Sequence, residues 1–191
     1  MKEQINVFDY SEQIMKALRR GILLNTNGDK FNSMVISWGH FGIIWGEPTF
    51  VVYVREHRYT KSQLDKTMEF TLSIPLDKPD SQINKVCGSL SGHHIDKVKE
   101  ANLTLVDAET NNTPAIAEYP LTLECKVKSW DPATGYVIGE IVASQADERI
   151  LTDGKVDLGK LKPIIFDPSF NAYRVVGEIV GNAFKDGLQL K

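Results

Sequence analysis

Between Gly21 and Trp38 two apolar runs flank Asn27-Gly28-Asp29, and no other feature constrains the fold of this chain as much. An Asn-Gly pair between two strand candidates is the strongest short-range hairpin signal, since both turn positions call for positive φ. The sheet therefore opens antiparallel. In the second run, Asn32-Ser33-Met34-Val35-Ile36-Ser37-Trp38-Gly39, an extended backbone places Met34, Ile36 and Trp38 on one face and Ser33, Val35 and Ser37 on the other. The first face suits a core. The second is small and hydroxylated, and would let a flat ligand approach the backbone closely.

The rest of the chain continues in the same mode. Asp9 to Arg20 reads as a short amphipathic helix ending at Gly21. Thr49 to Val54 is β-branched and aromatic throughout, which suits a central strand buried on both sides. Thr60 with Gln63 has the spacing of a capping box and starts a helix running to about Glu69. Phe70 to Leu76 reads as a strand, Pro79 to Gly88 and Ile95 to Asn102 as helices. Leu121 to Lys128 alternates strictly, as a half-buried antiparallel strand does, and Asp131-Pro132-Ala133-Thr134-Gly135 turns it into a partner strand from Tyr136 to Ala143. A closing helix is expected from about Arg174 to Lys185. Strands in hairpin order with helices inserted between them favour a barrel, and no glycine-rich dinucleotide fingerprint follows a strand.

At 191 residues without a composition shift, one domain is expected over 1–191: an N-terminal helix at 9–20, a barrel with inserted helices at 21–146, and a C-terminal extension with the closing helix at 147–191. A formal net charge of −3 without a basic block argues against nucleic acid as a partner. With no apolar leader and no apolar run of spanning length, the expectation is a cytoplasmic protein that does not enter membranes. The two cysteines, Cys87 and Cys125, form neither a disulfide framework nor a zinc pattern.

Two segments carry candidate chemistry. Arg55 to Ser62 brings Arg55 and Arg58 to a helix start that also carries Thr60 and Ser62, so a phosphate would find several donors at one point. Taken alone the segment reads more readily as an ordinary cap with solvated arginines, and its place directly after a central strand strengthens the anion reading. Cys87 to His94 gathers serines, glycines and the adjacent His93 and His94, but neighbouring histidines point apart and no ligand stands at zinc spacing, so a solvated loop is the simpler reading and no metal is expected. No nucleophile elbow and no acid/base pair of carboxylates stands out, so no catalytic side chain is assigned.

Three ordered motifs carry a resemblance. Asn32 to Gly39, then Arg55-x-x-Arg58-Tyr59-Thr60, then Cys87-Gly88-x-x-Ser91-Gly92 leading to Asp96-Lys97 resemble the flavin reductase-like, FMN-binding split-barrel proteins, including flavoredoxins. The similarity runs from about Gly21 to Ala143, and Gly177 to Phe184 resembles the family's closing helix. The resemblance implies a mainly β fold with peripheral helices, a six-stranded antiparallel split β-barrel, and a homodimer with FMN at the interface. It places Asn32, Ser33, Met34, Val35, Ser37 and Trp38 along the isoalloxazine ring, Arg55, Arg58, Tyr59 and Thr60 at the ribityl chain and phosphate, and Ser91 and Lys97 in a later polar cluster. It implies an NAD(P)H:flavin oxidoreductase in which NADH or NADPH donates electrons through FMN to an unknown acceptor. The alternative is an FMN-binding electron carrier without a nicotinamide site of its own. Two positions depart from the family pattern: His93 stands where Ser-Gly-Arg is common, and His57 where a small residue is usual. An imidazole thus stands where the family commonly has a permanently charged guanidinium.

Overall fold

The computed structural model describes residues 2–75, 80–153, 155–161, 164–167, 169–170 and 172–175. Strand β1 (Lys2–Gln4) leads into a 3-10 turn (Val7–Tyr10) capped by the Asn6 side chain, and helix α1 (Ser11–Leu18) follows. The helix is shorter than the periodicity predicts because its first turn winds as 3-10. It buries Ile14, Ala17 and Leu18 and stops where Gly21 takes φ +107°.

The expected hairpin is β2 (Ile22–Asn27) with β3 (Phe31–Ile36), in register from Ile22↔Ile36 to Asn27↔Phe31. Its turn chemistry differs from the expectation, since none of residues 27–30 has positive φ. Gly28 is required by a close approach instead: a Cβ there would stand 2.7 Å from Gln63 Oε1 and 3.2 Å from Gln63 Cα. The amide of Asp29 donates to the same Gln63 oxygen at 2.7 Å, which docks the turn on a helix. The turn with two positive φ values occurs one hairpin later, at Trp45 (54°) and Gly46 (87°), between β4 (Gly39–Ile44) and β5 (Glu47–Tyr53). Strand β4 has too few buried positions to show in the sequence pattern.

Helix α2 (Tyr59–Thr67) begins two positions earlier than a Thr60 cap would set it, with Arg58 as its cap residue and no side-chain capping bond. The capping-box reading is therefore corrected. Thr60 lies inside the first turn, buried, and its hydroxyl accepts from Asn32 Nδ2 at 3.0 Å, while Gln63 serves the hairpin turn. Met68, in the left-handed region at φ 53°, ends the helix and starts the wholly buried β6 (Glu69–Ile74).

Helix α3 (Ser81–Ser89) is capped by Asp80 and the single turn α4 (Lys97–Glu100) by Asp96, each carboxylate accepting two backbone amides. The short pair β7 (Leu105–Val106) and β8 (Ala115–Ile116) precedes the long hairpin of β9 (Leu121–Asp131) and β10 (Tyr136–Asp147). The half-buried reading of β9 fails over its first half, where Thr122 and Glu124 are fully buried. The 109–111 segment covers that face, and the Glu124 carboxylate accepts the amides of Glu109 (2.7 Å), Thr110 (2.7 Å) and Asn111 (3.1 Å) and the Thr110 hydroxyl (2.7 Å). A buried carboxylate is tolerable only with such compensation.

The chain continues through β11 (Leu151–Thr152), β12 (Lys155–Val156), α5 (Leu158–Leu161), β13 (Ile164–Asp167) and β14 (Ala172–Val175). The expected closing helix is corrected at its start, because Arg174 and Val175 lie in β14, paired with Ile165 and Ile164. The remainder of that helix lies outside the described residues.

The main sheet is antiparallel throughout and runs β3-β2-β6-β9-β10-β5-β4, with β1 paired to the far end of β10. The path from β3 to β5 supplies the six expected strands, and β4 and β1 raise the count to eight. Ile22 and Leu24 (β2), Ile36 (β3), Phe50 and Val52 (β5), Phe70 and Leu72 (β6), Leu121 and Leu123 (β9) and Val137 and Ile141 (β10) share one core, so the sheet curls around it. The two ends of the main sheet's path are β3 and β4, and among the described residues no ladder joins them, so the barrel is split there. A second core lies outside β2 and β3, where Leu23 and Phe31 meet Ile83, Val86 and Cys87 of α3 and Ala101 and Leu103 beyond α4. Among the described residues no helix is long and apolar enough to cross a membrane.

Candidate functional site

Two adjoining cavities open along the free edge of β3. The larger, about 510 Å3, is lined by Met34, Val35, Ile36, Ser37 and Trp38 of β3 and its exit, by Tyr53, Val54, Arg55 and Arg58, and by Thr134 and Gly135 of the β9–β10 turn. The smaller, about 130 Å3, is lined by Asn32, Met34, Val35, Arg58, Tyr59 and Thr60, and by Cys87 to Gly92 together with Lys97. Met34, Val35 and Arg58 border both.

The three motifs, separated by tens of residues in the chain, thus meet at one place. Eleven of the twelve residues expected at a ligand line one or both cavities: Asn32, Met34, Val35, Ser37, Trp38, Arg55, Arg58, Tyr59, Thr60, Ser91 and Lys97. Ser33 is the exception. It is fully buried, its side chain lies against Cys87, and its carbonyl accepts from Lys97 Nζ at 2.7 Å. The idea of an open, small-residue face on β3 is therefore corrected, because α3 and α4 cover that face and the free space runs along the strand edge. Trp38 also departs from its expected core position. The strand ends at Ile36, and the indole stands 69% exposed at the mouth of the larger cavity.

Lys97 is the most constrained cation of the site. Its side chain is buried and its ammonium donates to Ser33 O and to Cys87 O, at 2.7 and 3.3 Å, tying α4 to β3 and α3. Burial lowers its pKa and the positive field of Arg58 lowers it further, opposed by Cys87. Burial likewise pushes the Cys87 thiol up. Arg58 makes no side-chain cap on α2, and Arg58, Tyr59 and Thr60 at the start of that helix line the smaller cavity together with Lys97. Asn32 adds a buried Oδ1 that has no partner, although its Nδ2 bonds Thr60. Gly92 fits only without a side chain, since a Cβ would stand 2.4 Å from both Asn32 Oδ1 and Tyr59 Cδ1.

His93 does not take the place of a second guanidinium in the cavity. Its ring is exposed and packs edge-on to Tyr59 at 4.6 Å between centroids. His57 is exposed beside the α2 start. The lining contributed by Tyr53, Val54, Thr134 and Gly135 escapes sequence reasoning. The turn at 131–135 is legible, but its docking is not: Val54 N donates to Gly135 O at 2.9 Å only once the sheet has curled.

A curled antiparallel sheet split beside a two-part cleft of cationic and apolar walls defines a flavin-binding type of split barrel. The chain belongs to the flavin reductase like domain family, whose model matches residues 15–160. Among solved structures it is similar to the flavoredoxin of Desulfovibrio vulgaris (Miyazaki F), at 31% identity and TM-score 0.69 over 87% of this chain and 91% of that one. It is similar also to flavoredoxin from Methanosarcina acetivorans, at 30% identity and TM-score 0.66 over 90% of this chain and 91% of that one. A protein of Halalkalibacterium halodurans matches at 33% identity over 76 residues, which span 36% of each chain.

Proposed function

We propose that the chain is an FMN-dependent oxidoreductase that takes electrons from NADH or NADPH and passes them to a second acceptor, acting as a homodimer with FMN at the interface. The observation that carries this reading is the smaller cavity, which Arg58, the start of α2 and the buried Lys97 line together, with Arg58 near enough to lower the pKa of Lys97. Cations held together in this way repel, and an anion relieves them. The residues fit the group. Arg58 and the amides of α2 would hold a phosphate, Lys97 would add positive charge beside it, and the unpartnered Asn32 Oδ1 would accept from the ribityl hydroxyls or the ring. The larger, mainly apolar cavity beside β3 suits an isoalloxazine, with the backbone edge of β3 offering hydrogen bonds.

A bound flavin supplies the redox chemistry. This chain's side chains would bind and orient it: Met34, Val35 and Ile36 would form an apolar wall, Trp38 would cover the ring at the mouth, and Arg58, at the junction, would hold negative charge with Arg55 in the larger cavity. A second reading, an FMN-binding electron carrier without its own nicotinamide site, is favoured by one observation, namely that two flavoredoxins share about 30% identity along most of the chain. Anaerobic mixing of the purified, FMN-loaded protein with NADH and with NADPH separates the readings. Bleaching of the flavin absorbance is expected with at least one donor. An unbleached spectrum with both supports the carrier, and a colourless protein that does not quench FMN fluorescence overturns both.

A further inference from the structure

Strand β4 ends the main sheet, and among the described residues no strand pairs with its outer edge. Edges of this kind are ordinarily guarded by charge, proline or a bulge. Gly39-His40-Phe41-Gly42-Ile43-Ile44 contains no proline, lysine, arginine or carboxylate, and it pairs with β5 without a register shift. The edge is apolar instead. Ile43 is 62% exposed, Trp45 at the hairpin tip is wholly exposed, and Trp38 stands open just before the strand. The two indoles alone offer roughly 300 Å2 per protomer, a large share of the about 800 Å2 that each partner of a stable complex buries.

The β4–β5 ladder limits what a further strand could meet. Ile44 and Glu47 flank the two-residue turn and pair across it, so His40, Gly42 and Ile44 spend their backbone groups on β5. The amides and carbonyls of Gly39, Phe41 and Ile43 point outward. A two-fold axis perpendicular to the sheet brings a second β4 alongside, antiparallel, and keeps each face on its own side, so the axis passes at a residue, Phe41 or Gly42. With the axis at Phe41, Gly39 faces Ile43 of the partner subunit and His40 faces Gly42 of the partner subunit. Each glycine then meets a larger side chain, and Gly42, where a Cβ would meet nothing within 4 Å, has room for one. With the axis at Gly42, glycine faces glycine and the space stays open.

We propose that β4 pairs with β4 of a second copy of this chain about a two-fold axis at Phe41, joining the two main sheets and completing the mouth of the larger cavity. Trp38 then faces Ile44 of the partner subunit, and Trp45 of the partner subunit falls beside Ser37. Both protomers thus border the cavity that Ser37 and Trp38 line. The pairing rests on the homodimer reading above and supplies its interface.

Cysteine pairs in the FMN-loaded protein test the register, and the native Cys87 and Cys125 are buried and leave the readout clear. Under mild oxidation with diamide, His40→Cys combined with Gly42→Cys is expected to give a covalent dimer on a non-reducing gel. Those positions face each other at non-hydrogen-bonded sites, where Cα atoms stand about 4.5 Å apart. His40→Cys combined with Ile44→Cys, the pair that an axis at Gly42 would align, should give little or none. Ile43→Pro removes an outward amide and no bond to β5, so the dimer dissociation constant from analytical ultracentrifugation should rise about tenfold or more, two symmetry-related bonds being lost at once. Equal cross-linking of the two cysteine pairs, none in the first, or an unchanged dissociation constant in Ile43→Pro overturns the proposal. If Ile43→Pro does not fold, the cysteine pairs still decide. A dimer without either cross-link associates through another surface, which sinks the pairing and leaves the homodimer reading standing. A wild-type chain that is monomeric at micromolar concentration refutes both. A dimer that holds no FMN refutes the flavin reading alone, and the cross-links, repeated on that protein, still decide the pairing.

Discussion

Arg58→Ala separates a phosphate site from an ordinary helix start. Arg58 borders both cavities and makes no side-chain cap on α2, so truncation leaves that helix and its packing intact. A guanidinium–phosphate interaction contributes about 1.5–3 kcal/mol per charge-assisted bond. At about 1.4 kcal/mol per tenfold, loss of one such bond weakens FMN roughly 10- to 150-fold. Because Arg58 is exposed to solvent in the absence of ligand, the lower half of that range is expected. His93→Ala provides the control, since its ring packs on Tyr59 outside the cavity and its amide bonds Ser91 Oγ at 3.3 Å. Its effect should stay within about threefold, the scale of a lost surface contact. The assay is quenching of FMN fluorescence on titration with stripped protein, at two salt concentrations. Equal losses in Arg58→Ala and His93→Ala, or none in Arg58→Ala, would refute the placement of the phosphate.

Three further outcomes are expected. Lys97→Met strips the donor from two buried carbonyls at about 1–3 kcal/mol each, which lowers the melting temperature by about 5–15 °C in a chain of this size; an unchanged melting temperature contradicts the role given to its hydrogen bonds. Gly28→Asn should destabilise more than Gly28→Ala, because contact with Gln63 and not a positive φ demands glycine; the reverse order in urea denaturation would restore the turn expected from sequence. Burial raises the pKa values of the Cys125 thiol and the Tyr119 phenol above their unfolded values. The stability they contribute is fully present below the unfolded pKa, about 9 for the thiol, and is lost as pH rises beyond it, because the unfolded chain then releases protons that the folded chain keeps. The urea midpoint should therefore fall between pH 8 and pH 10.5, and less steeply in Cys125→Ala; equal slopes would disprove the assignment to Cys125.

Much of the barrel is legible because its signals are local. The alternation of Leu121 to Lys128, the turn at Asp131 to Gly135 and the β-branched run at Thr49 to Val54 each report a strand through its own neighbours. The misses share a cause. Glu124 is polar in an alternating pattern, and only the folding of 109–111 over it turns a solvent-facing position into a buried one. Strand β4 is an edge strand with mostly unburied side chains, so its pattern is weak. Thr60 and Gln63 have the spacing of a capping box, yet both side chains are claimed by the β2–β3 hairpin, which sequence distance hides.

By itself the sequence determined the antiparallel pairing of most strands, the family, and the three motifs that line the candidate site, because strand periodicity and residue chemistry are properties of short segments. Only the tertiary structure decided that Ser33 lies beneath α3 and α4, that Trp38 turns out to the cavity mouth, and that Tyr53, Thr134 and Gly135 join the lining. Those positions depend on how far the sheet curls and where it splits, and that is set by contacts between residues distant in the chain.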